Sequence, residues 1–146
     1  MQVLLADIAR YMPAITNLMR EHWNEAGYSF EFKPNIAAYI RLQERGNMFA
    51  YAAVIDGEVI GYCTATVSRE LHNPEIISCM SDALFVSKKY RNTSAGGRLI
   101  LAIEAEAKRR GATQIQWGAK PGSTLQRTLA KRNYNASDVM MQKELI

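Results

Sequence analysis

Apolar residues change their spacing several times along the chain, and each change marks an element. Val3, Leu4 and Leu5 form a short opening strand. Asp7 then caps a helix in which Ile8, Tyr11, Met12, Ile15, Leu18 and Met19 recur every three or four positions. Pro13 falls in its first two turns, where a missing N–H is tolerated better than further on, and the helix should end between Trp23 and Gly27. After an extended Tyr28–Phe32 comes a second helix from about Asn35 to Arg45, stopped by Gly46. Phe49–Ile55 and Glu58–Ser68 are rich in β-formers, and the Asp56-Gly57 pair between them signals a type I′ hairpin. Ile76–Val86 reads as a central strand. In the next helix Leu99, Ile100, Ile103 and Ala107 share one face, while Arg98, Glu104, Lys108 and Arg109 fall elsewhere and Gly111 supplies the stop. Gln114–Lys120 predicts a strand, Ser123–Lys131 a short helix and Val139–Leu145 a last strand.

The order β-α-α-β-β-β-α-β-α-β predicts an α/β domain of the mixed, α+β kind. The helix between the strands near 86 and 114 implies a right-handed parallel crossover in an otherwise antiparallel sheet. Neither repeat nor linker interrupts residues 1–146, so one domain is expected. With 48% apolar residues the chain has material for a core, yet no run of about 18 apolar residues suits a membrane span. No secretory signal is visible, which points to the cytoplasm. Cys63 and Cys79 lie in strand-like runs without metal-ligand spacing and read as buried reduced thiols, and no metal site is expected. The formal charge of +4 suits an anionic cofactor. Its Lys and Arg residues are spread out, which does not favour a nucleic-acid face.

The richest stretch is Asp82 to Gly111. A strand ends at Val86, a basic crossing follows, and a run of small residues from Asn92 to Gly97 opens the helix. The first N–H groups of a helix lack internal partners and carry the positive end of its dipole. Small residues let a diphosphate approach them, with Arg91 and Arg98 flanking the opening; a solvated strand-to-helix turn is the plainer alternative. Val86 followed by Tyr90-Arg91-Asn92-Thr93-Ser94-Ala95-Gly96-Gly97-Arg98-Leu99-Ile100 resembles motif A of the GCN5-related N-acetyltransferase (GNAT) family, written Arg/Gln-x-x-Gly-x-Gly/Ala. The resemblance extends in weaker form over nearly the whole chain and is greatest to small members carried by bacterial viruses, which would place the protein in a host cytoplasm. It implies a central sheet splayed around acetyl-coenzyme A, with the pyrophosphate held by Arg91, Asn92, Thr93, Ser94, Ala95, Gly96, Gly97 and Arg98. Ser94 replaces the first glycine of the motif. Serine disfavours positive φ, so a shifted loop is expected.

In the family the strand before this loop carries a bulge, and its freed backbone pairs with the pantetheine arm. The resemblance therefore implies that Leu84, Phe85 and Val86 supply these groups, with the Val86 N–H stabilising the thioester oxyanion. Acetyl transfer also needs a neutral amine, and Asp82 is the carboxylate best placed to take its proton. By strict alternation Asp82 shares a face with Ser78, Met80, Leu84 and Val86. That face either lines the cleft or meets the core, where the charge would need a partner; an Asp solvated or paired near a strand end is the structural alternative. Glu75 and Glu25 are weaker candidates.

Near the C-terminus the family's leaving-group tyrosine falls on Leu129, which has no proton to give. Either another group serves, the thiolate leaves unaided or transfer is lost; Ser123 and Lys120, on the loop after the parallel neighbour strand, are the candidates to reach the sulfur or the cofactor phosphates, while Tyr134 and Trp117 read as core residues and Cys79 lacks an adjacent His. For the acceptor wall the candidates are His22, Trp23 and Tyr28; Phe30 and Phe32 read as anchors of a loop. The leading expectation is direct acetyl transfer from acetyl-CoA to an amine on a small molecule or protein, without a covalent enzyme intermediate. A degenerate binding or inhibitory module, and an enzyme modifying a nucleic acid or other macromolecule, are the alternatives. Homodimers are common in the family, and the last strand is the edge where one would form.

Overall fold

The computed structural model describes residues 1–146. Its elements are β1 (Gln2–Ala6), α1 (Ile8–Ala26), α2 (Ile36–Glu44), β2 (Met48–Ile55), β3 (Glu58–Arg69), β4 (Ile77–Val86), α3 (Ala95–Arg109), β5 (Gln114–Gln116) and α4 (Thr124–Lys131). The sheet runs β1-β2-β3-β4-β5, antiparallel except for the parallel β4–β5 pair that flanks α3. Mixed α/β architecture is thus what the hydrophobic pattern called for.

Local chemistry sets the boundaries. The Asp7 carboxylate accepts the Ala9 N–H (3.2 Å) and the Asn35 side chain accepts that of Ala38 (3.1 Å), each satisfying a donor left open at a helix start. Asp56 and Gly57 both take positive φ (48° and 78°), as a type I′ turn requires. Two cores lie on opposite faces of the sheet. Ile8, Met12, Ile15 and Leu18 of α1 pack with Ala50, Tyr62 and Phe85, with α2 at the margin. On the other face Leu99, Ile103 and Ala107 of α3 pack with Phe49, Ile60, Cys63 and Cys79. Both cysteines are free and buried, and burial pushes the Cys63 thiol up and the Cys79 thiol up to about 11, so neither is a thiolate at neutral pH. No helix is long and apolar enough to cross a membrane.

Two expectations fail at the C-terminal end. The strand expected over Gln114–Lys120 pairs only through Gln116. The expected strand Val139–Leu145 joins no sheet, and its Val139, Met140, Met141 and Leu145 are 80–90% exposed. A period-two pattern favours extended backbone, but a ladder needs an edge at the right distance, and the three-residue β5 does not take this segment as a partner. The sheet therefore has five strands where six were expected.

Candidate active site

The site is built around an irregularity in β4. Thr64 pairs with Ala83 and Ala65 with Ser81, so Asp82 is an extra residue with no partner on β3. Such a bulge turns two consecutive side chains to one face and reverses the parity beyond it. Asp82 and Ala83 both line a pocket on the α1–α2 side, and Phe85 is buried there. Leu84 and Val86 pack on the α3 side. Asp82 consequently does not share a face with Leu84 and Val86, as simple alternation predicted.

Beyond the bulge β4 also leaves its parallel neighbour. Pairing with β5 stops at Met80 opposite Gln116, which frees the β4 edge from Ser81 onward. The Ser87 N–H donates to the Ile60 carbonyl (2.8 Å), so by the two-residue alternation of an antiparallel ladder Phe85 bonds across to Tyr62, while the amides of Leu84 and Val86 turn toward the opened wedge. Of the three residues expected to offer free backbone, Phe85 has another part: its ring stacks on His22 at 4.8 Å between centroids. Gly61 makes the tight crossing feasible, since a Cβ there would lie 3.0 Å from the Phe85 carbonyl oxygen.

Eight residues, Ser87 to Ser94, carry the chain from the end of β4 to the start of α3. The Asn92, Ser94, Gly96 and Gly97 N–H groups have no protein partner, and nothing lies within 4 Å of where a Gly96 Cβ would stand. Ala95 is buried, and Thr93 folds back onto the Tyr90 carbonyl (2.6 Å), so these two shape the loop. Ser94 has φ −81°, outside the left-handed region, so the serine fits without strain. The two expected arginines are engaged elsewhere. Arg91 holds the Glu25 carboxylate with both terminal nitrogens (2.6 and 2.5 Å) and the Val86 carbonyl with Nε (3.0 Å). Arg98 donates to the Met1 carbonyl (3.0 Å). A cation that sequence reasoning missed lies at the loop instead: the guanidinium of half-buried Arg132 comes within 2.8 Å of where a Gly97 Cβ would stand and has no anionic partner. Its position just after α4 gave no local signal. The free N–H groups, the open space before Gly96 and Arg132 together fit a diphosphate.

On the opposite side of β4 lies a pocket of about 450 Å³. Its lining includes Asp82, whose Oδ2 accepts from the Tyr39 hydroxyl (3.1 Å) and the Thr64 hydroxyl (2.8 Å) while Oδ1 has no protein partner. Burial, then the Asp82 charge, pushes the Tyr39 phenol up to about 12, so it stays a donor. His22, Trp23 and Tyr28 line the same pocket, which brings the expected base and the expected acceptor wall together. Burial lowers the His22 pKa and favours its neutral form. Phe32 is half-buried against the core as expected, but Phe30 is 62% exposed at the pocket mouth and is no anchor. Of the weaker carboxylates, Glu25 is held by Arg91 and Glu75 is exposed at the far end of β4.

Residues 13–132 match the model of the acetyltransferase (GNAT) family. The chain belongs to that family. As a GNAT acetyltransferase it draws on a family that uses acetyl-CoA, and no trio of His, Cys, Asp or Glu is placed to hold a metal ion. A ribosomal-protein-alanine N-acetyltransferase from Brucella melitensis biovar Abortus 2308 is 16% identical, with all of both chains covered and a TM-score of 0.73. An aminoglycoside acetyltransferase from an uncultured soil metagenomic sample is 14% identical over 99% of this chain and 96% of that one, TM-score 0.79. A Trypanosoma brucei acetyltransferase is 13% identical over 99% of each, TM-score 0.79. At these identities the likeness is one of fold. Comparison with curated proteins finds no match.

In this acetyltransferase Leu129, at the position of the family's tyrosine, is buried. The Tyr134 hydroxyl donates to Glu104 (2.7 Å) and its ring meets Trp117 edge-on at 6.4 Å, both away from the pocket lining. Ser123 caps α4 by accepting the Gln126 N–H (3.2 Å), and Lys120 places its ammonium 6.0 Å from the Tyr28 ring. Lys120 therefore belongs to the acceptor side more than to the phosphate loop.

Proposed function

We propose that this acetyltransferase passes an acetyl group from acetyl-CoA directly to an amine held over Asp82. The observation that carries the reading is the bulge at Asp82, which puts a carboxylate with one free oxygen on one side of β4, next to Leu84 and Val86 amides on the edge that β5 leaves unpaired. Acetyl-CoA supplies an acyl carbon activated as a thioester. Asn92, Ser94, Gly96 and Gly97 hold the diphosphate through their N–H groups, with Arg132 adding charge. Asp82 takes one proton from the ammonium and the freed nitrogen bonds to the acyl carbon; the carbon–sulfur bond then breaks, the sulfur leaves with its electron pair, and the surplus proton on the nitrogen passes to that sulfur, giving the amide and the free thiol of coenzyme A. Val86 donates its N–H to the acyl oxygen as charge builds there. Ser123 keeps its hydroxyl proton while capping α4 and is the hydroxyl from which the leaving sulfur takes a bond, in place of a tyrosine.

The test is a melting-temperature titration with acetyl-CoA, run on the wild type and on Gly96→Asp. A ligand of the native state raises the melting temperature with concentration. At position 96 a side chain meets nothing and an acid at a helix start is favourable, so the variant should fold while repelling the diphosphate. A rise in the wild type that the variant lacks is expected. Equal rises would overturn the placement of the cofactor. Arg91→Glu is a poorer probe, because it would set two glutamates against each other where Arg91 meets Glu25. The nucleic-acid reading gains no support, since Arg109 and Arg110 both pair with Glu106.

A further inference from the structure

We propose that the acceptor is a small monocationic aromatic amine, an aryl ring joined by a short saturated link to a primary ammonium, and that Trp23 selects it. The inference rests on the acetyltransferase reading above and narrows its acceptor.

The pocket over Asp82 has an aromatic wall and a sparse charge. Trp23 is the hub of the wall: its ring lies 4.3 Å from Tyr28, 4.5 Å from Phe30 and 5.9 Å from Phe32. Its Nε1–H is already committed to the Phe30 carbonyl (3.0 Å), which fixes the indole and leaves it only apolar and π surface to offer. Tyr28 and Phe30 remain 45% and 62% exposed, a contiguous aromatic surface that a flat apolar occupant would cover. Two carboxylates, Asp82 and Glu31, and one ammonium, Lys33, line the cavity, for a formal charge of minus one. Lys120 adds a further cation beside Tyr28.

With Lys120 counted the charges cancel, so the pocket takes one ammonium at the free Asp82 Oδ1 and has no excess negative charge to hold several. A polyamine or an aminoglycoside would bring three or more cations and, in the second case, many hydroxyls to a wall that offers them few partners. A linear alkylamine would satisfy Asp82 but would stack on nothing. An aryl ring two or three bonds from the ammonium uses both halves of the pocket.

The experiment measures thiol release by the full chain with acetyl-CoA, comparing 2-phenylethylamine and tryptamine with n-butylamine, spermidine and an aminoglycoside. The aromatic amines should exceed n-butylamine in kcat/KM by about tenfold or more, the scale on which an apolar pocket discriminates. In Trp23→Leu that ratio should fall to about one. A second readout needs no acetyl-CoA. In a Trp117→Phe background Trp23 is the sole tryptophan, and 2-phenylethylamine should quench its fluorescence saturably while spermidine does not. Saturable quenching without thiol release would uphold the ligand class while sinking the acetyl-transfer reading. Turnover that favours spermidine, the aminoglycoside or n-butylamine, a ratio that survives Trp23→Leu, or no quenching by the aromatic amine would overturn the proposal.

Discussion

At the scale of single residues, Asp82 gathers the most consequences. Tyr39 and Thr64 both donate to its Oδ2, which orients the carboxylate and leaves Oδ1 without a protein partner. Asp82→Asn is expected to lower kcat by about 10²- to 10³-fold, the usual scale for loss of a general base, with little change in acetyl-CoA binding. A steady-state assay beside the melting titration checks both. Tyr39→Phe removes one of the two bonds that orient the carboxylate and should lower kcat by about tenfold, the scale of one hydrogen bond to a charged group, with acetyl-CoA binding unchanged; an unchanged kcat would leave Tyr39 a packing residue. Glu106 offers a test of stability. It is buried in the α3 core, and its bonds to Arg109 and then Arg110 hold its carboxyl below the usual carboxylate range. A native pKa below the unfolded one means that the unfolded chain binds the proton first. The contribution is therefore complete above the unfolded value of about 4.3 and is lost as pH falls through the native value. Urea melts between pH 6 and pH 3 should show this loss, and Glu106→Gln should flatten it.

At the scale of elements, sequence pattern and structure agree where a local signal fixes the backbone. The cap at Asp7, the start of α2 near Asn35, the turn at Asp56-Gly57 and the apolar stripe of α3 are each decided by a few neighbouring residues, and each is where the pattern put it. Pro13 is an exception within α1. It sits at the sixth helical position, where it has no N–H for the Ala9 carbonyl. Pro13→Ala should raise stability by about 1–3 kcal/mol, measured by denaturant melts, since proline in a helix interior costs about that much. In β4 the pattern failed in an instructive way. Alternation is a rule for an unbroken ladder, and a single extra residue reverses it. Asp82 was correctly singled out as a charge on a central strand, but its facing could be read only from the pairing on β3.

At the scale of the whole molecule, the C-terminal segment is held weakly. Beyond Tyr134 no backbone N–H of the tail finds a partner, and its one side-chain link is the Ser29 hydroxyl to Glu144 (3.2 Å). Deleting residues 137–146 should leave the melting temperature within a few degrees; a collapse in stability would show that the segment supports the fold through contacts outside this single chain. The two cores explain why the site lies where it does. α1 and α2 cover one face and α3 the other, so the bulged end of β4 carries the proposed acceptor pocket on the α1–α2 side, while the loop proposed to hold the diphosphate follows β4 in the chain and opens α3.

By itself the sequence determined the order of the elements through α4, the run of small residues that opens α3, the buried thiols and the aromatic segment after α1, because each depends on spacing within a few turns or strands. Only the tertiary structure decided which side of β4 Asp82 faces, that Arg91 pairs with Glu25, that Arg132 lies over Gly97, and that Val139–Leu145 finds no strand to join. Those outcomes depend on contacts between residues far apart in the chain, and side-chain direction, charge partners and strand edges are settled only when the chain is packed.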